Sequence, residues 1–232
     1  FLTGSPFYCV VGSPIQHSKS PLIHRLFAEQ FNLPLQYARI EVLPDDFAAS
    51  IKALRSAGCR GVNVTVPNKS LAYSSATQRA PRAKIAQAAN TLWWSENETL
   101  HCDNTDGIGL LADLKRIMGS ELSTKRMLVL GAGGAAAGVI PSLLEQHAQL
   151  RVINRTFARA AALAARFGGM GEIAALQFSD LEKMAPFEVV INCTSAGLKG
   201  EPLALPSRII APSTVCYDLS YGSEPTLFQR WA

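Results

Sequence analysis

Ser18 and Ser20 flank Lys19 just before a helix-like pattern, and two hydroxyls so placed could bind a carboxylate. The simpler alternative is that Ser20 caps the helix. Thr65 and Lys69 close the run Asn63-Val64-Thr65-Val66-Pro67-Asn68-Lys69, at the C-terminal end of a β-rich segment. Ligands gather at that edge in open α/β sheets, although a lone lysine is more often a solvated surface residue. Asn90-Thr91 and Asp103-Asn104-Thr105-Asp106-Gly107 are two further polar sets beside short strands. Taken alone, Asp106 would most simply cap the helix that follows.

A second kind of chemistry is written at Gly131-Ala132-Gly133-Gly134-Ala135-Ala136, after an apolar run and at the opening of a helix. It fits G-x-G-x-x-G/A, the turn that binds dinucleotides. Gly131 permits the tight turn, Gly133 lets backbone amides approach a pyrophosphate, and the small Ala136 lets helix and strand pack closely. The helix N-terminus then favours anions. The alternative is a tight strand-to-helix turn with no ligand. The next strand ends in Asn154-Arg155-Thr156, with Arg159 one helical turn on. NAD-binding folds usually carry a carboxylate there for the ribose 2′-hydroxyl. Guanidinium groups and a hydroxyl suit a 2′-phosphate instead, so these residues read as NADP over NAD. Arg159 could also be an ordinary solvated helix residue.

The elements that must position these groups alternate in type. Phe7–Val11, Gln36–Val42 and Gly61–Val66 read as strands. Ser20-Pro21 starts a helix, because proline fits the first helical position. Pro44-Asp45-Asp46 opens another, with Phe47, Ile51 and Leu54 on one face. A helical stretch is expected from the Pro67 region to about Ala89. Thr91–Trp94 and Thr99–Cys102 follow as short strands, then a helix from about Gly107 to Met118. A boundary falls near Gly119–Lys125. Beyond it, Met127–Leu130 is a continuous apolar run, as a parallel strand buried on both faces should be. Strands at 150–154, 188–194 and 214–219 and a helix at 156–167 complete the pattern. The fold class is α/β, with a largely parallel, doubly wound sheet.

The chain has 232 residues, 48% of them hydrophobic, enough for a sizeable core. Lys+Arg 22 against Asp+Glu 18 leaves a net charge of +4, too mild to suggest a nucleic-acid partner or an anionic membrane. No apolar run approaches the ~18 residues of a membrane span, and Phe1 to Phe7 lacks the basic start of a signal peptide. Cys9, Cys59, Cys102, Cys193 and Cys216 are odd in number and form no C-x-x-C pair. They read as buried reduced thiols of a cytoplasmic protein. His17, His24, His101 and His147 show no metal-ligand spacing, so no metal site is expected.

Together the motifs stop looking independent. They are V-x-G-x-P-I-x-H-S-K-S-P-x-I-H from Val10 to His24, N-V-T-V-P-x-K over 63–69 and A-x-N-T over 88–91. Then come D-N-T-D-G over 103–107, G-A-G-G-A-A over 131–136, N-R-T over 154–156 and D-x-x-Y-x-x-x-x-T-x-F over 218–228. In this order and spacing the chain resembles the shikimate dehydrogenases over essentially its whole length. The resemblance implies reversible NADP-dependent reduction of 3-dehydroshikimate to shikimate, in the pathway to chorismate and the aromatic amino acids. It implies two α/β domains with a cleft between them: 1–106 for substrate and 107–232, Rossmann-type, for NADP. Ser18 and Ser20 would then hold the substrate carboxylate. Thr65, Lys69, Asn90 and Asp106 would surround the ring hydroxyls, and Tyr221 would complete that shell. Lys69 and Asp106 match the family's catalytic pair, with Lys69 read as acid/base and Asp106 as orienter. Gly131, Ala132, Gly133, Gly134, Ala135, Asn154, Arg155, Thr156, Arg159, Thr194 and Leu219 would bind the cofactor. A monomer or homodimer is expected. The chain ends at Ala232, where members of this family continue further. Gln87 and Ala137 also depart from the family's usual Gly and Arg. The rival readings are an NAD-preferring quinate/shikimate dehydrogenase and a non-catalytic NADP-binding regulator.

Overall fold

Runs of Val, Ile, Leu and Cys pair as strands because β-branched and apolar side chains fit a pleated surface buried on both sides. A computed structural model of the chain describes residues 7–119, 122–194, 204–222 and 224–232. The segment before Phe7, and residues 120–121 of the expected boundary, lie outside these. The chain divides into two units, Phe1–Thr105 and Asp106–Ala232.

The first unit runs β1 (Phe7–Gly12), α1 (Ser20–Gln30), β2 (Gln36–Glu41), α2 (Phe47–Ser56) and β3 (Cys59–Val64). It continues with α3 (Lys69–Ser75), β4 (Gln78–Arg79), α4 (Pro81–Ala86), β5 (Thr91–Trp94) and β6 (Leu100–Asp103). The strands form one sheet in the order β2-β1-β3-β5-β6-β4. β1 runs parallel to β2 and β3, whereas β5 is antiparallel to β3 and β6. Phe47, Ile51 and Leu54 of α2 are buried in a core with Cys9, Val11, Val62 and Leu92. Each large side chain so buried gains roughly 1.5–3 kcal/mol of transfer free energy.

Two expectations need correction here. The helical stretch expected up to Ala89 is two short helices separated by β4, which pairs in parallel with β6. Ser20 is the first residue of α1, not its cap; Lys19 holds the cap position and no side chain caps the helix. Pro21 sits in the first turn, where its missing N–H costs nothing.

The second unit runs α5 (Asp106–Met118), β7 (Arg126–Leu130), α6 (Gly134–Leu144), β8 (Gln149–Ile153) and α7 (Phe157–Phe167). Then come β9 (Ile173–Leu176), β10 (Val189–Asn192), β11 (Val215–Asp218) and α8 (Leu227–Trp231). The sheet order is β11-β10-β7-β8-β9, and every pairing is parallel. The chain leaves β7 toward β8 and β9, then returns to β10 on the other side. The strand order therefore reverses between β7 and β10, the place where such sheets take ligands.

The continuous apolar runs are explained by burial on both faces. Met127 and Val129 of β7 join one core with Val189, Ile191, Leu150 and Val152. Leu128, Leu130, Val190 and Ile153 join the opposite core with Phe187, Ile209 and Phe228. Helix α5 lies close on α6: a Cβ at Gly107 would meet Ser142 Oγ at 2.4 Å and the Gly138 carbonyl at 2.7 Å.

All five cysteines are free; four are buried and Cys216 is half-buried. Cys9 and Cys59 sulfurs lie 3.8 Å apart. That shared hydrogen bond, with burial, pushes the Cys9 thiol far above the usual range. Among the described residues no helix is long and apolar enough to cross a membrane, and no group of His, Cys, Asp and Glu could hold a metal ion.

Candidate active site

The first unit gathers its candidate residues around the end of β1, the end of β3, the start of β5 and the end of β6. The loop after β1 is pinned to the one after β3: the Ser13 N–H donates to the Val66 carbonyl at 3.0 Å. Thr65 N–H donates to the Val11 carbonyl at 2.9 Å. Ser18 is buried. Its hydroxyl accepts from the Ser20 N–H at 3.3 Å and donates to the Ser20 hydroxyl at 3.2 Å, so the two serines form one unit. This contact takes the place of the expected Ser20 cap.

Lys69 opens α3 directly after Asn68, a residue the sequence reading passed over. Asn68 is fully buried, and its side-chain amide donates to the Val42 carbonyl at 2.7 Å. Its N–H bonds the Thr65 carbonyl at 3.0 Å, closing the turn that carries Thr65 and Lys69. The Lys69 carbonyl accepts from Ala89 N–H at 2.8 Å, which places Asn90 beside the same turn. Asn90 is itself held at both ends of its amide. Its Oδ1 accepts from Thr105 N–H at 3.0 Å, and its Nδ2 donates to Thr105 Oγ1 at 2.9 Å. Asp106 is the next residue along the chain and the first of α5, where a carboxylate favours the helix dipole. It therefore stands inside the helix rather than capping it.

In the second unit the glycine turn follows β7. Gly131 has φ of +102°. A Cβ there would also meet Thr194 Cγ2 at 3.0 Å and the Cys193 carbonyl carbon at 3.3 Å. Gly is thus required twice, by backbone angle and by space. At Gly133 a Cβ would meet nothing within 4 Å, so the turn is open on that side. Gly133 is the N-cap of α6, and no side chain caps it. The first-turn amides Gly134 and Ala135 therefore face a position suited to an anion. Thr194 follows β10 and Leu219 and Tyr221 follow β11, all beyond the C-terminal ends of these strands.

After β8, the Asn154 amide donates to the Thr156 carbonyl at 3.0 Å and shapes the loop. Arg155, Thr156 and Arg159 are exposed. An uncapped helix start, a glycine turn with open space and two arginines beyond the neighbouring strand fit a dinucleotide bearing a 2′-phosphate.

A polar cluster beside Gly131 joins Thr194 and the motif residue Asp218 through Asn192, which the sequence reading did not single out. Asn192 is fully buried and pairs in register with Asp218. Its amide donates to Asp218 Oδ1 at 3.0 Å, and its Oδ1 accepts from the N–H and hydroxyl of Thr194 at 3.1 and 2.7 Å. On the other side of β11's end, Tyr217 donates to Asp113 Oδ2 at 2.9 Å. Burial and this bond push the Tyr217 phenol up to about 12. Bonds from Tyr217 and Arg116 hold the Asp113 carboxyl below its usual range.

Comparison with known proteins follows the same two-part division. Residues 10–92 match the family model described as shikimate dehydrogenase substrate binding domain, and residues 113–199 match shikimate / quinate 5-dehydrogenase. The chain is 48% identical over 226 residues to a protein of Alkalilimnicola ehrlichii named shikimate dehydrogenase (NADP(+)). That match covers 97% of this chain and 83% of the relative. A protein of the same name from Alcanivorax borkumensis is 47% identical, covering 97% and 81%. Among solved structures, the Ael1 enzyme from Pseudomonas putida is similar with a TM-score of 0.85 at 39% identity, covering 98% and 83%. Shikimate 5-dehydrogenase from Thermus thermophilus, in complex with NADP(H) and shikimate, is similar with a TM-score of 0.84 at 33% identity, covering 98% and 84%.

Proposed function

The chain belongs to the shikimate dehydrogenase family, and on that premise we propose that it catalyses the reversible NADPH-dependent reduction of 3-dehydroshikimate to shikimate. The single observation that carries this reading is the 48% identity to an NADP-dependent shikimate dehydrogenase over 97% of the chain. It is a step of the pathway toward chorismate and the aromatic amino acids.

Residues 1–106 bind substrate and 107–232 bind the cofactor. Ser18 and Ser20, already bonded to each other, hold the substrate carboxylate. Thr65, Lys69, Asn90 and Asp106 take the ring hydroxyls, and Tyr221 completes the shell. Gly131, Ala132, Gly133, Gly134 and Ala135 cradle the pyrophosphate against the start of α6. Asn154, Arg155, Thr156 and Arg159 take the 2′-phosphate, and Thr194 and Leu219 lie along the rest of the cofactor. When bound, NADPH supplies the hydride.

The protein must handle the charge left on the ketone oxygen. The Lys69 ammonium stabilises that oxygen and donates a proton to it; in the reverse direction its neutral amine accepts one. Asp106 accepts a hydrogen bond from the neighbouring ring hydroxyl and so fixes the ring's orientation. The absence of a carboxylate after β8, where Asn154-Arg155-Thr156 stand instead, favours NADP over NAD. We place the enzyme in the cytoplasm because its five cysteines are free thiols, and we take it as a monomer or homodimer.

The test is to mix the purified chain with 3-dehydroshikimate and NADPH, follow cofactor oxidation and identify the product. Shikimate formed in step with cofactor consumed supports the reading. Cofactor binding without substrate-dependent oxidation would instead indicate a non-catalytic binder.

A further inference from the structure

We infer that Asp218 is a positioning residue for the dinucleotide site, acting through Asn192 on Thr194 and the Gly131 turn. The inference rests on the reading that this turn binds NADP.

The bonds form a continuous relay across the C-terminal ends of β11, β10 and β7. Asp218 Oδ2 accepts from the Thr226 hydroxyl at 2.5 Å. Its Oδ1 accepts from Asn192 Nδ2 at 3.0 Å and from Ser220 N–H at 2.9 Å. Asn192 Oδ1 then accepts both donors of Thr194. The Thr194 methyl stands 3.0 Å from where a Gly131 Cβ would lie, so it backs the turn directly. Ser220 closes the loop by donating from its hydroxyl to the Thr194 carbonyl at 3.3 Å.

The chemistry fixes the direction of this relay. A carboxylate only accepts, so it forces Asn192 to present its NH₂ group to β11. The amide oxygen must then face Thr194. A flipped amide would set oxygen against carboxylate and NH₂ against two donors, inside a site where Asn192 has no access to water. Removing the carboxylate leaves the Asn192 NH₂ and the Ser220 N–H without an acceptor. It also frees Asn192 to rotate, and Thr194 loses its fixed position behind the turn. Thr226 anchors the far end: it caps α8, its hydroxyl oxygen accepting from Gln229 N–H at 3.1 Å. Apart from Thr194 and Gly131, none of these groups is assigned to the cofactor, so Asp218 acts on the site only through its neighbours.

The experiment measures NADPH affinity by cofactor fluorescence, together with KM values for NADP⁺ and shikimate, in wild type, Asp218→Ala, Asp218→Asn and Thr226→Val. Asp218→Ala is expected to raise the NADPH Kd and the NADP⁺ KM about tenfold or more, with shikimate KM within about twofold. Asp218→Asn keeps an acceptor for Asn192 and Ser220 and is expected to recover most of the affinity. Thr226→Val removes one donor to Asp218 and leaves Asn192 its partner. It also removes the Thr226 cap from the five-residue α8, a smaller perturbation than losing the carboxylate, and is expected to raise Kd about twofold to fivefold. Unchanged NADPH affinity in Asp218→Ala, or in Thr226→Val if Asp218→Ala does not fold, overturns the inference. So does an equal loss for shikimate and NADP⁺, which marks a purely structural role. If wild type itself fails to bind NADPH, the dinucleotide reading falls and the inference with it; that result is distinct from wild-type binding that the variants leave untouched.

Discussion

Lys69 and Arg155 should separate kinetically, because one serves the chemical step and the other the grip on the cofactor. Lys69→Ala is expected to lower kcat by about 10²–10⁴-fold, the range of acid/base catalysis, with a smaller change in shikimate KM. Steady-state kinetics with near-wild-type turnover would remove Lys69 from the mechanism. Arg155→Ala should raise the NADP⁺ KM by roughly tenfold to a hundredfold, as for a hydrogen bond to a charged group, and leave the NAD⁺ KM nearly unchanged. An equal rise for both coenzymes would place Arg155 away from the 2′-phosphate. At this scale the sequence is legible where a residue's neighbours in the chain define its task, as at Gly131 or Asn154-Arg155-Thr156. It is silent on Asn68, and it shows Asp218 as a motif residue without giving its task. Each is explained by partners remote in sequence: the Val42 carbonyl, 26 residues away, and the Asn192 amide, also 26 away. Ser20 shows a third case. Its type and place signal a cap, yet Ser18 two residues earlier supplies the competing hydrogen bond.

Helix α5 carries Asp106 at its first residue, and the next residue, Gly107, packs closely on α6. Gly107→Ala would drive a methyl against Ser142 Oγ and the backbone carbonyl of Gly138. We expect a loss of about 1–3 kcal/mol of stability, as for overpacking, measured by denaturant unfolding. Ser142→Ala in the same chain should restore only part of it, since the Gly138 carbonyl stays; full recovery would contradict the packing argument. Elements with strong apolar patterns were readable: β7, β8 and β10 bury alternate residues in two cores. Weak ones were not. β4 is two residues, Gln78 and Arg79, with no apolar signal, and exists because β6 offers it a ladder. β9 reads Ile-Ala-Ala-Leu, an alanine-rich run that also suits a helix, and becomes an edge strand beside β8. Helix α8, only five residues long, was not expected from the sequence; the Thr226–Gln229 capping box that opens it is the local signal that could have found it.

For the whole molecule, the titrating groups that tie distant segments together set the pH range of stability. Tyr217 joins β11 to α5, and its phenol is pushed from about 10 to about 12 in the fold. A raised acid keeps its stabilising effect below the unfolded value and loses it as pH rises through the folded one. The melting midpoint should therefore fall between pH 10 and 12, and less steeply in Tyr217→Phe. Identical slopes would show that the Tyr217–Asp113 bond does not contribute. Glu188 behaves oppositely: the Lys125 ammonium holds its carboxyl below the usual range. Its contribution is present above the unfolded value and is lost as pH falls through the lower folded value. The α/β class and the parallel second sheet were legible because continuous apolar runs and the glycine turn are local signals. The mixed first sheet was less so, since the antiparallel setting of β5 depends on its pairing with β3 and β6. The most direct measurement is the initial rate of cofactor reduction by the 232-residue chain with saturating shikimate, comparing NADP⁺ with NAD⁺. The account predicts shikimate-dependent reduction with NADP⁺ strongly preferred; a preference for NAD⁺, or no shikimate-dependent reduction with either coenzyme, would contradict it.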